Sequence, residues 1–314
     1  MSVPMSTNTQ AILLLTSSLL TGRVVSIERP LSAREYALFA QALFAHGHQP
    51  ADLLGSGLET ILQDCQTGLD DERVRRLLAR GFLLGQAVER WHSRGIWVIS
   101  RADAAYPRRL KARLSGAAPA ALYGAGDLSL LERGGLAVLG ARRVEPALGA
   151  FSEQVGKLVA SASELVLACG GPGIDQRASR AALATEGSVI TVLADNLERV
   201  ALERSSRDAL AAQRLLLVSP FDPGASYDSA AAGPQNRLLY GLADALLVLQ
   251  ADPHDDASWP VLRELLALPS GPRVYVETRG EEDTALAALR EQGALPWPGP
   301  VDVAGLRATL REVP

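Results

Sequence analysis

Residues 136–175 constrain this chain most: LAVLGARRVEPALGAFSEQVGKLVASASELVLACGGPGID reads as strand, loop, helix, strand, loop and the start of a second helix. Leu136–Gly140 is an unbroken apolar run, the pattern of a parallel strand buried on both faces. It stops at a glycine and is followed at once by Arg142 and Arg143. Pro146 suits a first helical turn, and Leu148, Phe151, Val155, Leu158 and Val159 keep helical spacing through residue 162. Leu165–Cys169 predicts the next strand, ending in Gly170, Gly171, Pro172 and Gly173 before a helix opens near Ile174. The carboxyl edge of such a βαβ unit collects helix N-termini, whose unpaired N–H groups and positive dipole ends favour anions. Gly140, Arg142 and Arg143 at one strand end, with Gly170, Gly171, Gly173 and Asp175 at the next, are thus candidate phosphate contacts. The plainer alternative for GGPG is a tight turn whose glycines permit positive φ. Neither loop has the G-x-G-x-x-G order of a dinucleotide fold or the Lys-[Ser/Thr] of a Walker loop, so no nucleotide cofactor is expected.

With 314 residues there is room for one large α/β domain and a smaller one. The formal net charge of −4 excludes a globally basic nucleic-acid binder, so any polyanion contact must be local. Between Arg101 and Arg143 eight basic residues face three acids, a net of +5. From Asp244 to Asp283 nine acids face three arginines, a net of −6. Cys65 and Cys169 are far apart, and His46, His48, His92 and His254 do not fall at ligand spacing with them. Neither a disulfide nor a metal site is predicted, in keeping with a cytoplasmic protein. AILLLTSSLL at 11–20 has no basic residue before it and is too short to span a membrane, so it predicts a first buried helix and no membrane association.

Residues 1–95 read as an all-helical domain, with a capping box at Ser32 and Glu35 and an apolar face through Leu31, Tyr36, Leu38, Phe39, Leu43 and Phe44. From residue 96 to about 300 strands and helices alternate, which predicts a doubly wound, mostly parallel Rossmann-like α/β sheet. The proline- and glycine-bearing remainder, 301–314, reads as a loosely packed tail. Residues 219–233 form a long loop, of a length more often functional than structural, and it delivers Asn236 and Arg237 to a helix start. There an arginine offers a fork for phosphate and an asparagine can read a base or ribose edge; a surface ion pair is the alternative for Arg237.

These residues resemble the DprA/Smf DNA-processing family. DAAYP and APAALYGAGDLSLL are similar to its D-x-x-YP and P-x-x-L-y-x-G elements, LGARR to VGSR, CGGPGID to SG-x-A-x-GID, and PQNRLLYGLAD to its RNR helix start. The chain differs in having Ala178 and Ser179 after GID, Gln235 for the first arginine of RNR, DPHDDASW at 252–259, and no winged-helix segment. The resemblance implies a non-enzymatic protein without a catalytic residue, which binds and protects single-stranded DNA and helps load a RecA-type recombinase. It also implies a homodimer formed through the Rossmann-like domain. Tyr227 and Tyr240 are the nearby aromatic candidates for base stacking, and Asp175 would hold the glycine loop or orient an arginine, or simply sit as an acid at a helix N-terminus. Two other readings remain: a degenerate scaffold, suggested by the acidic 252–259 stretch, and a nucleotide-binding or nucleotide-hydrolysing protein of the lysine-decarboxylase-like group, holding a single nucleoside phosphate. The latter lacks a PGGxGTxxE-type motif or a poised glutamate.

Overall fold

The computed structural model describes residues 5–20, 28–226, 228, 231–251, 259–268, 271–277 and 284–311. Its first elements are α1 (Thr7–Thr16), α2 (Ala33–Ala45), α3 (Leu58–Asp64), α4 (Asp71–Leu78), α5 (Gly81–Ser93), β1 (Ile96–Ser100), α6 (Arg108–Leu114) and β2 (Ala121–Gly126). Then come β3 (Leu136–Leu139), α7 (Pro146–Ser161), β4 (Leu165–Cys169), α8 (Ile174–Ala184), β5 (Ser188–Val192), α9 (Leu197–Leu202), α10 (Arg204–Ala211) and β6 (Leu215–Ser219). The last are α11 (Ala232–Leu242), β7 (Ala245–Val248), α12 (Trp259–Leu266), β8 (Arg273–Val276), α13 (Thr284–Glu291), β9 (Leu295–Pro296) and α14 (Val303–Arg311). The elements divide between two compact units: Met1–Ala125 with Asp195–Leu202 and Ser219–Ser226, and Gly126–Ala194 with Glu203–Val218 and Tyr227–Pro314.

In the first unit the helices close on a core of Ile12, Leu15, Leu31, Tyr36, Phe39, Leu43, Leu53, Ile61, Leu62, Cys65, Val74 and Leu77. The expected capping box at Ser32 and Glu35 starts α2, and the 11–20 run is helical through Thr16. The DAAYP turn acts as a staple: Asp103 accepts hydrogen bonds from the hydroxyls of Ser6 (2.7 Å) and Thr9 (2.6 Å) and from the Ser100 N–H (2.7 Å). Burial pushes the Asp103 carboxyl up, but these bonds outweigh it and hold the group below its ordinary range. The Tyr106 hydroxyl donates to the Pro119 carbonyl at 2.8 Å.

The first unit runs on through β1 and β2 to residue 125, and two later segments belong with it. Asp222 takes the Ser17 hydroxyl and the N–H groups of Leu20 and Gly224. Glu198 takes Arg90 and Arg94. A charged or polar anchor on each returning segment outweighs sequence proximity, because a buried carboxylate left unpaired is costly.

The second unit carries a parallel sheet in the order β6-β5-β4-β3-β7-β8-β9. Its central strands are buried along their length, as their apolar runs require. The chain winds outward from β3 to β6, returns through α11 to β7 beside β3, and winds the other way. Strand order therefore reverses between β3 and β7, and ligands of such sheets sit at the carboxyl ends of strands at this point. α8 packs on α7 through small residues, and a Cβ on Gly156 would run into the backbone carbonyl of Ala178. The polar stretch 202–212 forms the single helix α10 at Arg204–Ala211, with α9 a separate helix before it. The expected loose tail is instead α14: Leu306 is fully buried, and the Arg307 Nη2 donates to the Ala162 carbonyl at 2.7 Å. An apolar residue with a reachable helix-end carbonyl suffices to dock it.

Gly156→Ala places a methyl against a backbone atom that has no side-chain freedom to yield, so it is expected to destabilise the protein by roughly 1–3 kcal/mol in urea unfolding. A loss under about 0.5 kcal/mol would show that α7 and α8 are not fixed by this contact.

Candidate nucleic-acid interface

The loop after β3 holds Gly140 against Ile174, whose side chain occupies the space a Cβ would need. The Ile174 N–H donates to the Ala141 carbonyl at 3.3 Å, tying the basic loop to the first turn of α8. Arg142 and Arg143 are both exposed, and neither donates a hydrogen bond to a described residue. The loop after β4 closes on the same place. Gly173 has φ +153°, and a Cβ on it would lie 2.9 Å from the Ala141 oxygen and 3.2 Å from the Asp175 Oδ1. Glycine is required there by both conformation and space. Gly171 has no neighbour within 4 Å of a Cβ position, so this part of the loop is open, while Gly170 packs on Leu193. Gly140, Arg142, Arg143, Gly170, Gly171, Gly173 and Asp175 are thereby brought to one sheet edge, at the N-terminus of the 11-residue helix α8.

Asp175 is buried. Burial pushes its carboxyl up to about 7, against the pull of backbone hydrogen bonds at Gln176, Cys169 and its own residue and of the Arg142 charge. Of the roles open to it from sequence, the geometry matches holding the glycine loop beside Arg142. Burial also pushes the neighbouring Cys169 thiol up, so it is inert rather than nucleophilic. Its Sγ donates to the Asn236 Oδ1 at 3.7 Å, which brings α11 to the end of β4.

Asn236 and Arg237 are not at the helix start as expected. α11 begins at Ala232, so both stand in its second turn. Asn236 is buried. Arg237 donates from Nη2 (2.9 Å) and Nε (3.3 Å) to Glu264 Oε2 of α12, the surface ion pair that sequence left open as its alternative. Gln235, where the related motif has arginine, is buried and donates to the Val192 carbonyl at 2.7 Å. It ties α11 to the end of β5, a role that its departure from the motif could have flagged. Ser179 donates to the Asp175 carbonyl at 2.8 Å within α8. Tyr240 is 2% exposed and cannot serve as a stacking platform; its apolar neighbours on α11 turn it into the core. Tyr227 and most of the acidic 252–259 stretch lie outside the described residues.

Among the described residues there is no group of three or more His, Cys, Asp or Glu able to hold a metal, and no described helix is long and apolar enough to cross a membrane. What the edge offers is two cations and an open glycine loop beside the positive dipole end of α8, whose own first N–H groups are taken by Ala141 and the Asp175 carboxyl.

The family model described as DNA recombination-mediator protein A matches residues 97–259, more than half of the chain. The chain belongs to this family. Among solved structures it is similar to DNA processing protein A from Streptococcus pneumoniae, with 18% identity, 100% of this chain and 99% of that chain covered, and a TM-score of 0.70. It is also similar to DNA processing protein A from Helicobacter pylori, solved for its single-stranded DNA binding mode. There the identity is 20%, 70% of this chain and 97% of that chain are covered, and the TM-score is 0.56. No curated protein sequence matches the chain. At these identities the structures establish the Rossmann-like fold, while the family model establishes membership.

Because the folded Asp175 binds its proton more tightly than the ordinary value of 3.8 allows, its contribution to stability is full below about pH 4 and is lost as pH rises to about 7. Asp175→Asn is expected to remove this fall, measured as urea midpoints between pH 4 and pH 8. An unchanged pH profile would mean that the carboxyl is not held in the buried, protonated state.

Proposed function

We propose that this protein binds single-stranded DNA at the carboxyl edge of its parallel sheet and, as a recombination mediator, protects the strand and hands it to a RecA-type recombinase without catalysing a reaction itself. The observation that carries this reading is the convergence of the Arg142–Arg143 loop with the glycine loop at the N-terminus of α8, locked together by the Ile174 to Ala141 hydrogen bond. Two exposed guanidiniums and the N–H groups of the glycine loop grip phosphates without reading bases, which suits a single strand of any sequence. The edge is open rather than a closed pocket, as a through-running polymer requires. Membership of the DNA recombination-mediator protein A family supports the reading, and so does the single-stranded DNA binding of the Helicobacter pylori relative.

Arg237 enters more weakly, since it must exchange Glu264 for phosphate. That ion pair is half exposed, with the two side chains 37% and 53% accessible, and such pairs contribute little. The proposal extends to a homodimer in a cytoplasmic setting, with family membership as its support.

Fluorescence anisotropy with a short oligo(dT) across a salt series tests the site. Arg142→Ala and Arg143→Ala are each expected to weaken binding by roughly tenfold or more and to flatten the salt slope by about 0.7, one phosphate contact on a single strand. Arg237→Ala is expected to have a smaller effect. Wild-type binding insensitive to both loop arginines would overturn the assignment.

A further inference from the structure

The helical unit contains a second cluster of cations, independent of the sheet edge. Arg90 of α5 donates from Nε to both carboxylate oxygens of Glu198 (2.8 and 3.0 Å) and from Nη2 to Oε2 (2.7 Å). Arg94, just past the end of α5, donates from Nη1 to the same Oε2 at 2.5 Å. The Glu198 side chain is 10% exposed, while Arg90 and Arg94 are 33% and 29% exposed. Above them opens a cavity of about 230 Å³, lined also by Asn196, Arg199, Leu202 and Gly224. Arg90 and Arg94 share the single Glu198 carboxylate on its wall.

Two guanidiniums share the one Glu198 carboxylate, which leaves donors on both for a further anion. The donor inventory shows where such an anion would sit. Arg90 has Nη1 left over and Arg94 has the whole Nε and Nη2 edge, none of them donating to a described residue. That edge is a planar fork of the kind that takes two oxygens of one oxyanion, and Glu198 fixes the opposite edge so that the fork is pre-oriented. Asp222, the other carboxyl near Arg90, is buried and takes the Ser17 hydroxyl and the N–H groups of Leu20 and Gly224.

We propose that this cavity binds a phosphoryl group, held by the Arg94 fork with Arg90 beside it. The volume admits one phosphoryl group with its immediate substituent, not a folded dinucleotide. The site does not depend on nucleic-acid binding at the sheet edge.

The test titrates pyrophosphate by calorimetry into a background carrying Arg142→Ala and Arg143→Ala, so that the sheet edge does not contribute. Binding is expected in that background, and adding Arg94→Ala is expected to weaken it by about tenfold or more. Arg94→Lys keeps the charge and the Glu198 pair but loses the fork. It is expected to weaken binding severalfold with the circular dichroism unchanged, which guards against a merely misfolded alanine variant. No heat in the background protein, or equal affinity in both Arg94 variants, would overturn the proposal. A parallel arm compares 5′-phosphorylated with 5′-hydroxyl oligo(dT). A preference for the phosphorylated strand that Arg94→Lys abolishes identifies a strand end as the occupant, and pyrophosphate binding without that preference identifies a free phosphate compound.

Discussion

The candidate site depends on how closely two helices can approach over the buried strands β3 and β4. With β3 and β4 buried along their length, α7 and α8 must cover them, and they can do so together only because Gly156 lets the Ala178 carbonyl into the space of a side chain. That approach sets where α8 begins, and the start of α8 sets where Gly173, Ile174 and Asp175 meet the loop after β3. The anion-binding character of the edge is a consequence of this packing: the same tight crossing that excludes water from the core aims a helix N-terminus at the Arg142 loop.

Electrostatics then divides the work between a buried acid and exposed bases. Asp175 sits below the surface beside Arg142, where burial favours its neutral form, so it braces the loop without presenting a full negative charge to a phosphate. Arg142 and Arg143 stay exposed, where a polyanion can displace water from them at little cost. The contrast with Arg237 is instructive, because Glu264 already occupies its fork. On a protein of net charge −4, affinity must come from a few such placements rather than from a general field.

Much of this was legible in the sequence. Parallel strands buried on both faces read as short apolar runs, two of which, β3 and β4, run into glycine, so β3 to β8 and the meeting of the Arg142 and GGPG loops follow directly from residue pattern. Elsewhere long-range partners decided. The return of 195–202 and 219–226 to the helical unit rests on Glu198 with Arg90 and on Asp222 with Ser17, pairs separated by 108 and 205 residues, which no local pattern announces. α14 was hidden by the prolines and glycines before it, and β9 by being two residues long and ending in proline. Tyr240 read as a stacking candidate because its type suits bases, but its helix face points it into the core. The positions of Asn236 and Arg237 were misjudged by one turn because α11 begins at the small residues Ala232 and Gly233, which carry no start signal.

Hydrogen exchange read by mass spectrometry, with and without oligo(dT), tests the central claim most directly, since it reports which backbone N–H groups the strand covers. Slowed exchange at residues 140–143 and 170–177, with the rest of the second unit unchanged, is the predicted result. Binding accompanied by protection confined to the helical unit, with both loops exchanging as in the free protein, would contradict it.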